Sequence, residues 1–217
     1  MLSGKISADD YAFAFVCKIP YDEILCTPCD KTDEKKAERL FAHRLLEHVV
    51  RELGLIKSDC KITANDYGAP SIPGAYLSLS HTFRYAFAAV SSKPIGCDAE
   101  FQQDGKDFGK LLQRIMTESE KSLYKSIIDK NDGLITDKKD LFYTLWTAKE
   151  AAFKRKGVPP FEPSKTKVKG VKVFLEGNCA FAVDSVSPLS VYFLSFENEK
   201  FVTKSALPVR EFCRLSE

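Results

Sequence analysis

No stretch of the sequence is apolar for long enough to cross a bilayer. The N-terminal region offers only Tyr11–Cys17 behind two aspartates, too short and too acidic at its flank for a secretory leader. Net charge is nearly absent as well: 32 Lys and Arg against 30 Asp and Glu leave +2, and no long basic stripe occurs, so the electrostatic footprint of a nucleic-acid binder is missing. The seven cysteines are odd in number and irregular in spacing, which argues against a disulfide framework and makes a reducing cytoplasm the expected home. Cys26-Thr-Pro-Cys29 is a lone C-x-x-C, without the second ligand pair of a zinc site or the strand–helix setting of a redox motif. There is no tandem repeat, and tryptophan is used once, at Trp146.

What remains is an ordinary globule: 44% hydrophobic and 29% charged residues over 217 positions suffice for a buried core in one large domain or two small ones. Tyr11–Lys18 alternates around aromatic and β-branched residues and reads as a strand. From Asp33 to Leu53, Ala37, Leu40, Phe41, Leu45, Val49 and Leu53 fall at helical spacing, with Arg44 interrupting the stripe. Asn65–Tyr76 is dense in Gly and Pro and reads as a loop, followed by the strand AYLSLSHT with Leu77, Leu79 and His81 on one face. FRYAFAAV and IGCDAE read as an antiparallel pair turning through Ser91–Lys93. Asp107–Tyr124 has a helical pattern, and Asp129–Asp140 is a polar insertion. Leu141–Gly157 is a second long helix, stopped by Gly157 and Pro159-Pro160; four β-like runs then lead to Leu207. Each half therefore reads as a helix plus an antiparallel sheet, which predicts an α+β fold of two similar lobes.

Two places carry candidate chemistry. Asp98 and Glu100, two apart on a strand, project from one face and repel unless a cation or water separates them. Glu150 and Lys154 share one helix face, with Trp146 a turn earlier, expected to pack that face against the N-terminal half. As a bare ion pair Glu150–Lys154 is worth about 0.3–0.5 kcal/mol. If Glu150 instead met Asp98 and Glu100, three hard oxygen donors would suit Mg²⁺, and Lys154 would reach phosphate oxygens.

SLSHT, PIGCDAE and LWTAKEAAFKRKG, in that order, resemble the 4′-phosphopantetheinyl transferases of the double-length type known from activators of surfactin synthetase. The resemblance implies a pseudo-dimer whose N-terminal lobe, 1–97, binds coenzyme A and whose C-terminal lobe, 98–217, holds the metal and docks the carrier protein. It implies Mg²⁺ on Asp98, Glu100 and Glu150, with Glu150 also the base for the incoming serine and Lys154 on the leaving phosphate. Ser80, His81 and Arg44 match contacts to the coenzyme 3′-phosphate, with Arg39 an alternative to Arg44; Gly68 and Pro70 match the adenine-side loop, and Glu120 a further family acid. Ala69 departs from the family's usual lysine. The implied reaction moves 4′-phosphopantetheine from coenzyme A to a serine of an apo acyl or peptidyl carrier protein, releasing adenosine 3′,5′-bisphosphate, in a cytoplasmic monomer with no nucleic-acid or membrane partner. Lys121, Lys125, Arg155 and Lys156 are candidate docking residues for an acidic carrier. A non-catalytic coenzyme A or carrier-binding module and a metal-dependent phosphohydrolase are the alternatives.

Overall fold

The computed structural model describes residues 10–21, 31–56, 61–129, 133 and 135–207; Cys26 and Cys29 lie outside them. In chain order the elements are β1 (Ala12–Lys18), α1 (Lys31–Glu52), β2 (Thr63–Ala64), β3 (Pro70–Ile72), β4 (Ala75–Thr82), β5 (Tyr85–Ser91) and β6 (Ile95–Phe101). Helices α2 (Phe108–Ile115), α3 (Glu118–Asp129) and α4 (Lys138–Lys156) follow, then a 3₁₀ turn at Pro163–Lys165. The chain continues through β7 (Lys172–Glu176), β8 (Cys179–Ser185), β9 (Leu189–Glu197) and β10 (Lys200–Ala206).

Four layers result, and strand alternation builds them. Phe13, Phe15 and Cys17 of β1 face α1, packing with Phe41, Leu45 and Val49 and with Ala86, Ala88 and Val90 of β5. Ala12, Ala14 and Val16 face the opposite way, onto Cys97 and Ala99 of β6 and Phe181 and Val183 of β8. On the far side, Ala180 and Ala182 of β8 pack under Leu141, Leu145, Ala148 and Ala151 of α4. The order is helix, sheet, sheet, helix, a mixed α+β architecture with the two sheets face to face.

The first sheet has the order β10-β9-β1-β5-β4-β3-β2 and the second β6-β8-β7. The same plan occurs in both: strand, helix, hairpin, with the leading strand paired antiparallel to the last strand of the hairpin, β1 to β5 and β6 to β8. Several expectations need correction. Residues 85–101 do not form a hairpin, because β5 pairs with β1 and β4 whereas β6 opens the second sheet; Ser92–Pro94 carries the chain between layers. The first sheet is not purely antiparallel, since β9 lies parallel to β1. A boundary at 97/98 runs through β6, and β9 and β10 sit in the first sheet although they come last in sequence.

Within the helices, Leu40 is 70% exposed, on the opposite side of α1 from Phe41, Leu45 and Val49; Ala42, Leu46 and Val50 complete the buried stripe. The span 107–124 is two helices, because Met116 is extended and Thr117 starts a new N-terminus. There the Glu120 carboxylate accepts from the Thr117 amide at 2.8 Å while the Thr117 hydroxyl accepts from the Glu120 amide at 3.2 Å, a reciprocal capping box. Among the described residues, no helix is long and apolar enough to cross a membrane.

Candidate active site

Gly96 lets the site form. A Cβ there would lie 2.0 Å from the Ala151 carbonyl oxygen and 2.4 Å from the Arg155 amide, so β6 and α4 touch backbone to backbone at this residue. That approach sets the α4-facing residues of β6, Asp98 and Glu100, against the face of α4 that carries Glu150 and Lys154. Asp98, Glu100 and Glu150 each offer an oxygen within 4.8 Å of the others.

The electrostatics show how charged this cluster is. Burial, then the charge of Asp98, pushes the Glu100 carboxyl up to about 7 and the Glu150 carboxyl up to about 7. Burial pulls the Lys154 ammonium down, but Asp98, Cys97 and Glu150 together outweigh it, so Lys154 is held above its ordinary value. Lys154 donates to Asp98 Oδ1 at 2.6 Å, and Ser80 Oγ donates to the same oxygen at 2.9 Å. Asp98 Oδ2 is buried without a hydrogen-bond partner. A buried oxygen that accepts nothing, in a nest of three carboxylates, is the donor set that a hard divalent cation fits.

Among the described residues, the ring and hydrogen-bond contacts of Trp146 lie in the C-terminal half, not the N-terminal half. Trp146 stacks on Phe142 at 6.1 Å between centroids, meets Phe161 edge-on at 5.6 Å, and its indole N–H donates to Glu100 Oε1 at 3.3 Å. The tryptophan therefore orients one of the three acids.

A cleft of about 500 Å³ lies beside Lys154, lined by Arg39, His43, Gly68, Pro70, His81 and Lys154 among others. Its loop wall is built by Asn65, whose side-chain oxygen accepts from the amides of Tyr67 and Ala69 at 3.0 and 2.9 Å, and by Gly68 at φ 78°. Ala69 lines the cleft without a charge; the cations there are Arg39 and Lys154, with the imidazoles of His43 and His81. Arg44 is elsewhere: its guanidinium lies over the Phe196 ring, 4.9 Å from the centroid. Ser80 and His81, adjacent in sequence, point to opposite sides of β4. Ser80 faces Asp98, and His81 Nδ1 lies 3.3 Å from Glu38 Oε2.

Glu38 has no place in the motif reading. It is buried on the inner face of α1, bound by the Tyr21 hydroxyl and His81. The available signal is its position one residue after Ala37 and three before Phe41, inside the apolar stripe. Glu120 is buried too, accepting both contacts from Lys149 Nζ at 3.0 and 2.8 Å; Lys149 also donates to the Thr166 carbonyl at 2.8 Å. Of the candidate docking cations, Lys121, Lys125 and Lys156 are exposed. Arg155 is paired with Asp184 at 2.6 Å and Lys121 with Glu118 at 2.6 Å.

Residues 94–165 match the model of the 4'-phosphopantetheinyl transferase superfamily. The 4'-phosphopantetheinyl transferase Sfp of Bacillus subtilis (strain 168) is 30% identical over 112 residues, 50% of this chain and 46% of that protein. The 4'-phosphopantetheinyl transferase ffp of Bacillus subtilis is 31% identical over 106 residues, 48% of this chain and 44% of that protein. A further Bacillus subtilis 4'-phosphopantetheinyl transferase is 33% identical over 107 residues, again 48% and 44%. The chain thus spans about half the length of the curated relatives it matches. The segment that resembles the 4'-phosphopantetheinyl transferase superfamily holds β6, α4 and all three clustered acids.

Proposed function

We propose that the protein transfers the 4′-phosphopantetheine group of coenzyme A to a serine hydroxyl of an apo acyl or peptidyl carrier protein, releasing adenosine 3′,5′-bisphosphate. The observation that carries this reading is the meeting of Asp98, Glu100 and Glu150 within 4.8 Å, with Lys154 at their edge and a cation-lined cleft alongside. The two strand–helix–hairpin units support a pseudo-dimer, the first binding the coenzyme and the second supplying the acids and docking the carrier.

Asp98, Glu100 and Glu150 would hold Mg²⁺, and the orphaned Asp98 Oδ2 is the oxygen best placed by its lack of a partner to ligate it. The bound ion would supply charge neutralisation at the pyrophosphate, an electrostatic contribution of several kcal/mol at a reacting phosphoryl group. Arg39, His43 and His81 give the cleft the donors that a 3′-phosphate requires, while Gly68 and Pro70 shape the wall against which a purine would lie. A serine hydroxyl is a poor nucleophile at neutral pH and needs a positioned base, worth about 10²–10⁴-fold. Glu150 takes that proton as the serine oxygen bonds to the phosphorus that carries pantetheine. The pyrophosphate P–O bond breaks, and Lys154 stabilises the charge left on the departing bisphosphate. Exposed Lys125 and Lys156 would serve as docking cations for an acidic carrier.

The test is incubation with an apo-carrier protein, coenzyme A and Mg²⁺, followed by intact-mass measurement of the carrier. The phosphopantetheine increment should appear with the wild type and vanish with Glu150→Gln and with Asp98→Ala, both still folded. Full transfer by both variants would reject these roles.

A further inference from the structure

We propose that Ser80 is a positioning residue for Asp98: it fixes one carboxylate oxygen so that the other is left for a divalent cation, and it is not a donor to the coenzyme phosphate. The inference rests on reading the three acids as a metal site.

The hydrogen-bond capacity of one hydroxyl decides the matter. Ser80 Oγ lies 2.9 Å from Asp98 Oδ1, 3.2 Å from the Ala99 amide nitrogen and 3.3 Å from Lys154 Nζ. An amide N–H and an ammonium can only donate, so both lone pairs of the hydroxyl are taken and its single proton has one destination, Asp98 Oδ1. No donor remains for a phosphate oxygen. Asp98 then has a doubly bonded Oδ1, from Ser80 and Lys154, and a buried Oδ2 that accepts nothing.

The neighbouring hydroxyls show that this is more than a strand contact. β4 runs beside β6 in another sheet, and its hydroxyls take the place of the carbonyls of a missing ladder. Ser78 accepts from the Cys97 amide at 2.9 Å, Ser80 from Ala99 at 3.2 Å and Thr82 from Phe101 at 2.8 Å. Ser80 alone of the three also bonds a clustered acid, so Thr82 serves as an internal control for the suture itself.

Outer partners of metal-binding side chains change affinity by about 10–100-fold when removed. Mn²⁺ titration followed by electron paramagnetic resonance reads this on the full chain without any turnover. Ser80→Ala should weaken Mn²⁺ binding by about tenfold or more, whereas Thr82→Val, which orphans an equivalent amide, should stay near the wild type. If Ser80→Ala does not fold, Ser80→Thr and Ser80→Val decide at constant volume: the threonine should bind as the wild type does, the valine as weakly as expected for alanine. Equal losses at positions 80 and 82, or wild-type affinity without the Ser80 hydroxyl, would overturn the proposal. So would loss of adenosine 3′,5′-bisphosphate binding in metal-free buffer while Mn²⁺ affinity is kept. Asp98→Asn separates the two readings. If the wild type binds Mn²⁺ and Asp98→Asn does not, the metal site stands and only the role of Ser80 is at issue; if the wild type binds none, both fail.

Discussion

At Gly96 two backbones meet with no room for a side chain, and the three acids are close because of it. Gly96→Ala should cost about 1–3 kcal/mol or more, the range for overpacking a tight contact. It should also reduce the rise in melting temperature on adding Mg²⁺, since α4 must shift away from β6; paired melts with and without Mg²⁺ check this. Glu38 gives a prediction of another kind. Burial alone would raise its carboxyl, but bonds from His81 and Tyr21 outweigh that and hold it below the ordinary 4.5. A depressed folded value means stability that is present above the unfolded value and lost as pH falls through the folded one. In urea titrations the advantage of the wild type over Glu38→Gln should therefore be full above pH 4.5 and close below it. The alternation of Asp98 and Glu100 and the one-turn spacing of Glu150 and Lys154 are legible from local periodicity. The partners of Ser80 and Glu38 are not, because each is chosen by an element distant in sequence.

Helices α3 and α4 are tied together by a charge pair that water does not reach. Lys149 is 0% exposed, and burial lowers its ammonium despite the opposing pull of Glu120. Removing one partner leaves the other charge stranded, so Glu120→Ala should destabilise by about 3–5 kcal/mol in chemical denaturation. Adding Lys149→Met should recover part of that loss, since no buried charge remains; a double variant less stable than Glu120→Ala would contradict this account. The elements themselves are largely readable: both long helices and the strands from β4 onward follow the sequence pattern. The break at Thr117 is hidden because apolar spacing continues across it, and only the T-x-x-E capping signal marks a new start. Strand partnership is hidden for a deeper reason. A short turn after β5 fits a hairpin as well as a crossing between layers, and the choice is made by the apolar faces of Cys97 and Ala99, which bury against β1 and β5.

The two sheets share a core, so the molecule should melt as one unit. Phe181 of β8 packs edge-on to Tyr85 and Phe87 of the first sheet, at 5.4 Å each, and stacks on Phe174 of its own at 5.1 Å. Phe181→Ala should cost about 3–5 kcal/mol, and calorimetry should still show a single transition, because the contact belongs to both halves. The mixture of long helices with antiparallel strands is readable; the return of β9 to the side of β1 is not, since nothing in a strand's own residues names a neighbour so far away.

That return has a consequence for synthesis. The backbone edge of β1 that pairs with β9 has no partner strand until Leu189–Glu197 leaves the ribosome, which at ordinary elongation speeds is a delay of roughly 10–30 s after Lys18 is made. Through that interval the nascent chain carries an open, adhesive strand that a holding chaperone would have reason to cover. Chains stalled at Ser185 should be cut by protease within β1, while chains stalled well past Ala206 should resist.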